Sequence, residues 1–166
     1  MTWQTTMTPI LRYLINDVDP TDYTYSDARL QTSILIAGQL ISKEVDFNTT
    51  YTIDVPNSGL TPDPTVDPAD IPFINLTCLK AATIVYGGEL RLAAKNSIKI
   101  VDGPSQIDVT SQYGNLAKLY QSSVDAYNKA KVDYVAGNSI AGQTVNTPYT
   151  YPNSLVPTHM YRNFTW

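Results

Sequence analysis

The side chains best suited to chemistry are few in this chain, and they stand alone. There is one histidine, His159, and one cysteine, Cys78. A hydrolytic triad needs a base held by a third group beside a nucleophile. His159 sits among prolines and aromatic residues near the C-terminus, with no periodic element around it to hold it. A single cysteine excludes an intrachain disulfide and a cysteine metal cluster. Cys78 falls within an amphipathic pattern, where a buried, inert thiol is expected. Asp54, Asp63, Asp67 and Asp70 raise the question of calcium, but they lack the alternate spacing of an EF-hand loop and prolines stiffen the segment. They are expected to be solvated loop charges. Asp17, Asp19 and Asp22 form a second acidic group, which turn chemistry accounts for. There is no GxxxxGK[ST] run and no Rossmann fingerprint, and Gly87-Gly88 alone makes no phosphate cradle. The chain therefore reads as non-enzymatic, with no catalytic residues, metal or cofactor.

Charge and composition narrow the classes further. The formal net charge is −4, and Lys and Arg are dispersed: Lys95 and Lys99 close to one helix end, Lys118, Lys129 and Lys131 on the next. No basic patch emerges of the kind that grips a phosphate backbone. Charged residues make up 16% of the chain, against a usual figure of about 25%. Thr, Ser, Asn, Gln and twelve Tyr take their place, a surface suited to lying against other protein. The first residues lack a basic region followed by an apolar one, so no signal peptide is expected. No apolar run approaches the roughly 20 residues of a membrane span, so a soluble chain that stays where it is made is expected.

The elements follow from periodicity. Thr8-Pro9 resembles a cap and first helical position, followed by Ile10, Leu11, Leu14 and Ile15 and a turn over 16–20. A second helix starts near Thr24 or Ser26, with Leu30, Ile34, Ala37, Ile41 and Val45 on one face. Ile36 and Leu40 widen that stripe. Residues 48–55 alternate as one strand. The Pro- and Asp-rich stretch at 56–68 reads as a loop long enough for a contact role. A third helix starts at Asp67-Pro68 or Asp70-Ile71-Pro72, its face carrying Leu76, Leu79, Thr83, Tyr86, Leu90 and Ala93. Gly87-Gly88 marks a kink or a closely packed backbone. A short extended segment or hairpin surrounds Asp102-Gly103-Pro104. The fourth helix runs from about Ser111 to Ala136 with Leu116, Tyr120, Val124, Tyr127, Lys131 and Tyr134 in line, and Gly137-Asn138 caps it.

The fold expected is thus mainly α: a small bundle of about four helices with a short strand or hairpin insertion and an extended C-terminal arm. Residues 1–137 would form the helical domain and 138–166 the arm. The arm has no useful periodicity, yet it carries the aromatic residues that disordered tails usually lack. Tyr149, Tyr151, Pro152, Leu155, Tyr161, Phe164 and Trp166 are its candidate docking residues, since proline-stiffened spacers reduce the entropy lost on binding.

The order of elements resembles that of the head–tail adaptor (connector) proteins of tailed phages. The likeness rests on TPILRYLINDVDPTDYTYSDARLQTSILIAGQLISKEVDF (8–47) and NSIKIVDGPSQIDVTSQYGNLAKLYQSSVDAYNKA (96–130), and as an architecture covers 8–136. The resemblance implies a structural virion protein in the neck, made in the host cytoplasm. Its copies would form a homo-oligomeric ring, usually a dodecamer, beneath the portal protein, linking capsid to tail and extending the channel for viral genome ejection. The arm would dock on the portal, and the strand and Pro-rich loop would contact neighbours or a further neck or tail protein. DNA would pass without specific binding, and no membrane is involved. The alternatives are another neck or tail-completion protein (a stopper or terminator) and a small non-viral helical binding module.

Overall fold

The computed structural model describes residues 2–96, 99–102, 105–108 and 110–138, with side chains over 2–95 and 113–137. Helix α1 (Trp3–Leu14) begins well before Thr8-Pro9. Trp3, Met7 and Leu11 recur every fourth residue and are all buried, so the apolar face extends across the proline. Pro9 is tolerated inside the helix because it lies on the exposed side, as does Thr5, whose carbonyl it cannot serve. Thr8 is therefore a helical residue and not a cap; its buried hydroxyl has no partner.

Helix α2 (Asp27–Glu44) is capped by Ser26, whose side chain accepts from the Arg29 N–H at 3.4 Å. The anticipated stripe of Leu30, Ile34, Ala37, Ile41 and Val45 is buried throughout. The 48–68 region is not one strand followed by loop. Strands β1 (Thr52–Asp54) and β2 (Gly59–Thr61) pair antiparallel, with Ile53 opposite Leu60. Asp54 closes the turn by accepting from the backbone and side-chain amides of Asn57. Leu60 is buried, and Ile53 approaches α2 where Gly38 has no side chain: a Cβ there would stand 2.9 Å from Ile53 Cδ1.

Helix α3 (Ile71–Asn96) takes the later of its two expected starts. Asp70 caps it, accepting from the Phe73 N–H at 3.1 Å and from the Tyr51 hydroxyl at 2.7 Å. The first half of α3 is buried on nearly every side, through Phe73, Ile74, Leu76, Thr77, Cys78, Ala81 and Ala82, because α1 and α2 pack on it and on each other. Phe73 stacks on Tyr51 at 3.8 Å and meets the Phe47 ring edge-on at 5.2 Å. Burying each such large apolar side chain is worth about 1.5–3 kcal/mol. The same feature gives α3 a window of 18 residues with mean hydropathy 1.2, so by length and composition alone the helix could cross a membrane. Half of that window is covered inside the protein, as in a core helix.

The chain stays helical through Gly87 and Gly88, and close packing explains the first of them: a Cβ on Gly87 would lie 3.3 Å from the Tyr120 ring. Strands β3 (Lys99–Asp102) and β4 (Ser105–Asp108) form the expected hairpin, Ile100 opposite Ile107. Helix α4 (Thr110–Asn138) follows. The protein is mainly helical, as the sequence indicates. It divides into residues 1–130 and 131–166; of the second unit, only the end of α4 is described.

Candidate interaction surface

The anticipated docking residues Tyr149, Tyr151, Pro152, Leu155, Tyr161, Phe164 and Trp166 lie outside the described residues, as does His159. Several of the other groups singled out from sequence have structural partners. Asp17 does more than shape a turn. Its side chain is 4% exposed and accepts from the Arg12 guanidinium and from the Thr24 and Tyr25 N–H groups. Arg12 reaches on to Asp27 (2.6 Å) and the Tyr25 carbonyl (2.8 Å), with the Tyr23 ring 3.6 Å away. This network fastens the end of α1 to the start of α2. A cation beside Leu11 on the apolar face of α1, five residues ahead of Asp17, was the available sequence signal.

Asp63 is likewise structural. It accepts from the Trp3 N–H at 2.9 Å, serving the first turn of α1 from sixty residues away, and from Thr65. These hydrogen bonds hold its carboxyl below the ordinary range against the opposing effect of burial. Asp19 is held low by Thr21, through side chain and backbone. Cys78 is fully buried, and burial pushes its thiol up to about 12. Among the described residues no group of His, Cys, Asp or Glu is placed to hold a metal ion.

What remains is a surface built by α4. Of its described side chains only Tyr127 is buried. Its hydroxyl donates to Glu44 Oε2 at 2.7 Å, and Lys80 lies 4.5 Å from its ring while bonding Glu44 Oε1 at 2.8 Å. Burial, and then the Glu44 carboxylate, raise the Tyr127 phenol. Together with Tyr120 on Gly87, this triad seats α4 on the tips of long side chains. A depression is left on either side. One, of about 250 Å³, lies among Leu14, Leu79, Tyr86 and Leu119. The other is an open groove of about 590 Å³ between α2, α3 and α4.

The larger groove has a definite chemistry. Arg29, Lys80 and Arg91 line it, with Glu44 as its one acidic side chain, and Gly88, Tyr120 and Val124 add to its walls. Arg29 is partly engaged by Glu89 at 3.3 Å and lies over the Tyr25 ring. On α2, Ile36 and Leu40 fall on the same helical stripe as Arg29, Ser33 and Glu44 and are 38% and 43% exposed. The widened stripe of α2 is thus only partly covered at these two positions. The arrangement can bind an apolar, negatively charged surface; it has no nucleophile paired with a base. No protein-family model, no curated protein and no solved structure matches the chain.

Proposed function

We propose that the chain is a structural virion protein, a head–tail adaptor whose copies form a ring beneath the portal, extend the DNA channel and link capsid to tail. The observation that carries this reading is the seating of α4: a long helix with one buried side chain among those described, flanked by an open groove, with Ile36 and Leu40 partly exposed on α2. Such a helix completes its packing against other protein. The predominance of helix favours an adaptor over the stoppers and terminators, which are richer in strand. The arm, 138–166, docks on the portal through Tyr149, Tyr151, Pro152, Leu155, Tyr161, Phe164 and Trp166. One docking is weak, and many arms on one ring are secure because each later contact is intramolecular. A net charge of −4 per chain leaves DNA little to adhere to.

The test is native mass and negative-stain imaging of the full chain, alone and mixed with a portal, beside a chain lacking 138–166. Closed rings are expected with the full chain. The truncated chain is expected to keep its helical circular dichroism and to lose the portal. Absence of rings both alone and on the portal would rule the adaptor reading out, and unfolding of the truncated chain would rule out the arm as a separate element.

A further inference from the structure

The groove between α2, α3 and α4 calls for an occupant that is apolar and acidic, and the chain carries one at a distance. Its charge is unevenly divided. Ten of the fifteen acidic residues lie in positions 1–70, with three of the eleven basic ones, whereas positions 80–130 hold six basic and four acidic. Within the acidic part, residues 62–71 form a preshaped knob. The Asp70 N–H donates to the Pro64 carbonyl at 2.9 Å and the Val66 N–H to Asp63 at 3.4 Å, while Asp63 and Asp70 are turned to internal donors. Val66 and Ile71 are left 59% and 55% exposed, and Asp67 between them is exposed too. Four prolines over 62–72 limit the entropy such a knob loses on docking.

A copy's own knob does not reach the Arg91 end of its own groove. Ile71 opens α3 and Arg91 lies twenty residues further along it, about 30 Å at the helical rise. We propose that the groove receives the 62–71 knob of a second copy of this chain, Asp67 facing Arg91 and Val66 and Ile71 resting on the apolar wall at Ile84, Val85 and Val124. The two surfaces are unlike, so the contact is heterologous: each copy offers a knob at one place and a groove at another, and repetition closes a ring when the rotation allows. This rests on the ring-subunit reading and names the surfaces it would use.

The experiment is sedimentation velocity of the full chain over a concentration series. Arg91→Glu and Asp67→Arg are each expected to weaken self-association by about tenfold or more. An equimolar mixture of the two restores it, because each variant then meets a partner of matching charge at both surfaces. Two single variants that assemble like the parent overturn this contact while leaving the ring reading intact, and so does assembly that stops at a dimer. If the parent sediments as a monomer throughout, Val66→Cys and Gly88→Cys chains are mixed at high concentration with a short bismaleimide. Both sites are open, Gly88 having no heavy atom within 4 Å of an added Cβ, and Cys78 is buried and silent. A 66–88 cross-link supports the contact, and its absence overturns it.

Discussion

Replacing Asp17 with alanine tests whether the α1–α2 junction is held by a buried charge. The substitution removes one partner of the Arg12 guanidinium and the acceptor of two backbone N–H groups. Breaking a buried ion pair by deleting one member costs about 3–5 kcal/mol, and stranding a buried donor costs about 1–3 kcal/mol. These do not simply add. Arg12 keeps Asp27, the Tyr25 carbonyl and the Tyr23 ring, and Thr24 and Tyr25 are open enough for water to reach their amides. The low end is therefore expected, about 3–4 kcal/mol. Asp27 touches the same guanidinium, but its side chain is 65% exposed, so Asp27→Ala should cost about 1 kcal/mol or less. Asp17→Asn keeps an acceptor and falls between.

Urea unfolding followed by far-UV ellipticity reads these differences as midpoint shifts at constant slope. A loss of about 3 kcal/mol corresponds to a fall in Tm of roughly 10 °C for a body of this size. An Asp17→Ala chain no less stable than Asp27→Ala would refute the argument, since burial and the two backbone donors are what separate Asp17 from Asp27.

Alkaline pH should weaken the fold. Burial, then the Glu89 charge, raise Tyr25 from its ordinary 10.0 to about 12, burial lifts Cys78 from 9.0 to about 12, and Tyr127 is raised as well. Groups whose folded pKa is raised release protons first in the unfolded chain, so stability is complete below about pH 9 and falls as pH rises towards 12. Melts between pH 8 and about 11.5 check the slope; Tyr127→Phe should flatten it, and stability constant across that range would contradict the assignment. In the two central glycines, Gly88→Ala should raise stability by about 1 kcal/mol through helix propensity, whereas Gly87→Ala should gain less because its Cβ presses on Tyr120. Equal gains in thermal melts would mean that Tyr120 does not pack there.

The elements that the sequence displays best are those whose burial is one-sided and local. The α2 stripe repeats at helical spacing over four turns, and the 99–108 hairpin has a Gly-Pro pair in the sequence between its strands. The start of α1 is obscured because Pro9 and Thr8 form a good cap pattern, and only the Trp3, Met7, Leu11 recurrence outweighs it. Strand β2 is three residues long inside a run of prolines and aspartates, too short to show a period of two. The roles of Asp17, Asp63 and Asp70 depend on partners supplied by folding: a carboxylate in a turn sequence looks the same whether it faces water or the amide of Trp3. Legibility fails where a polar residue acts across the fold, and Arg12 fails with it.

The same reasoning bears on why the fourth helix carries tyrosines rather than leucines at 120 and 127. Leucine at 120 and 127 would let α4 close on α3 but would leave Glu44 and Lys80 without the hydroxyl and ring they meet there. Tyrosine reaches across the gap with an apolar ring and ends in a donor, so the helix is fixed while the groove beside it stays open. An open groove with Ile84, Val85 and Val124 and three cations in its lining favours a ligand that brings apolar area and negative charge together. A nucleic acid would bring the charge without the area, and an aliphatic peptide the area without the charge. A preshaped acidic knob brings both, and because Ile71 and Arg91 of one chain stand about 30 Å apart along α3, the knob that meets Arg91 comes from another copy.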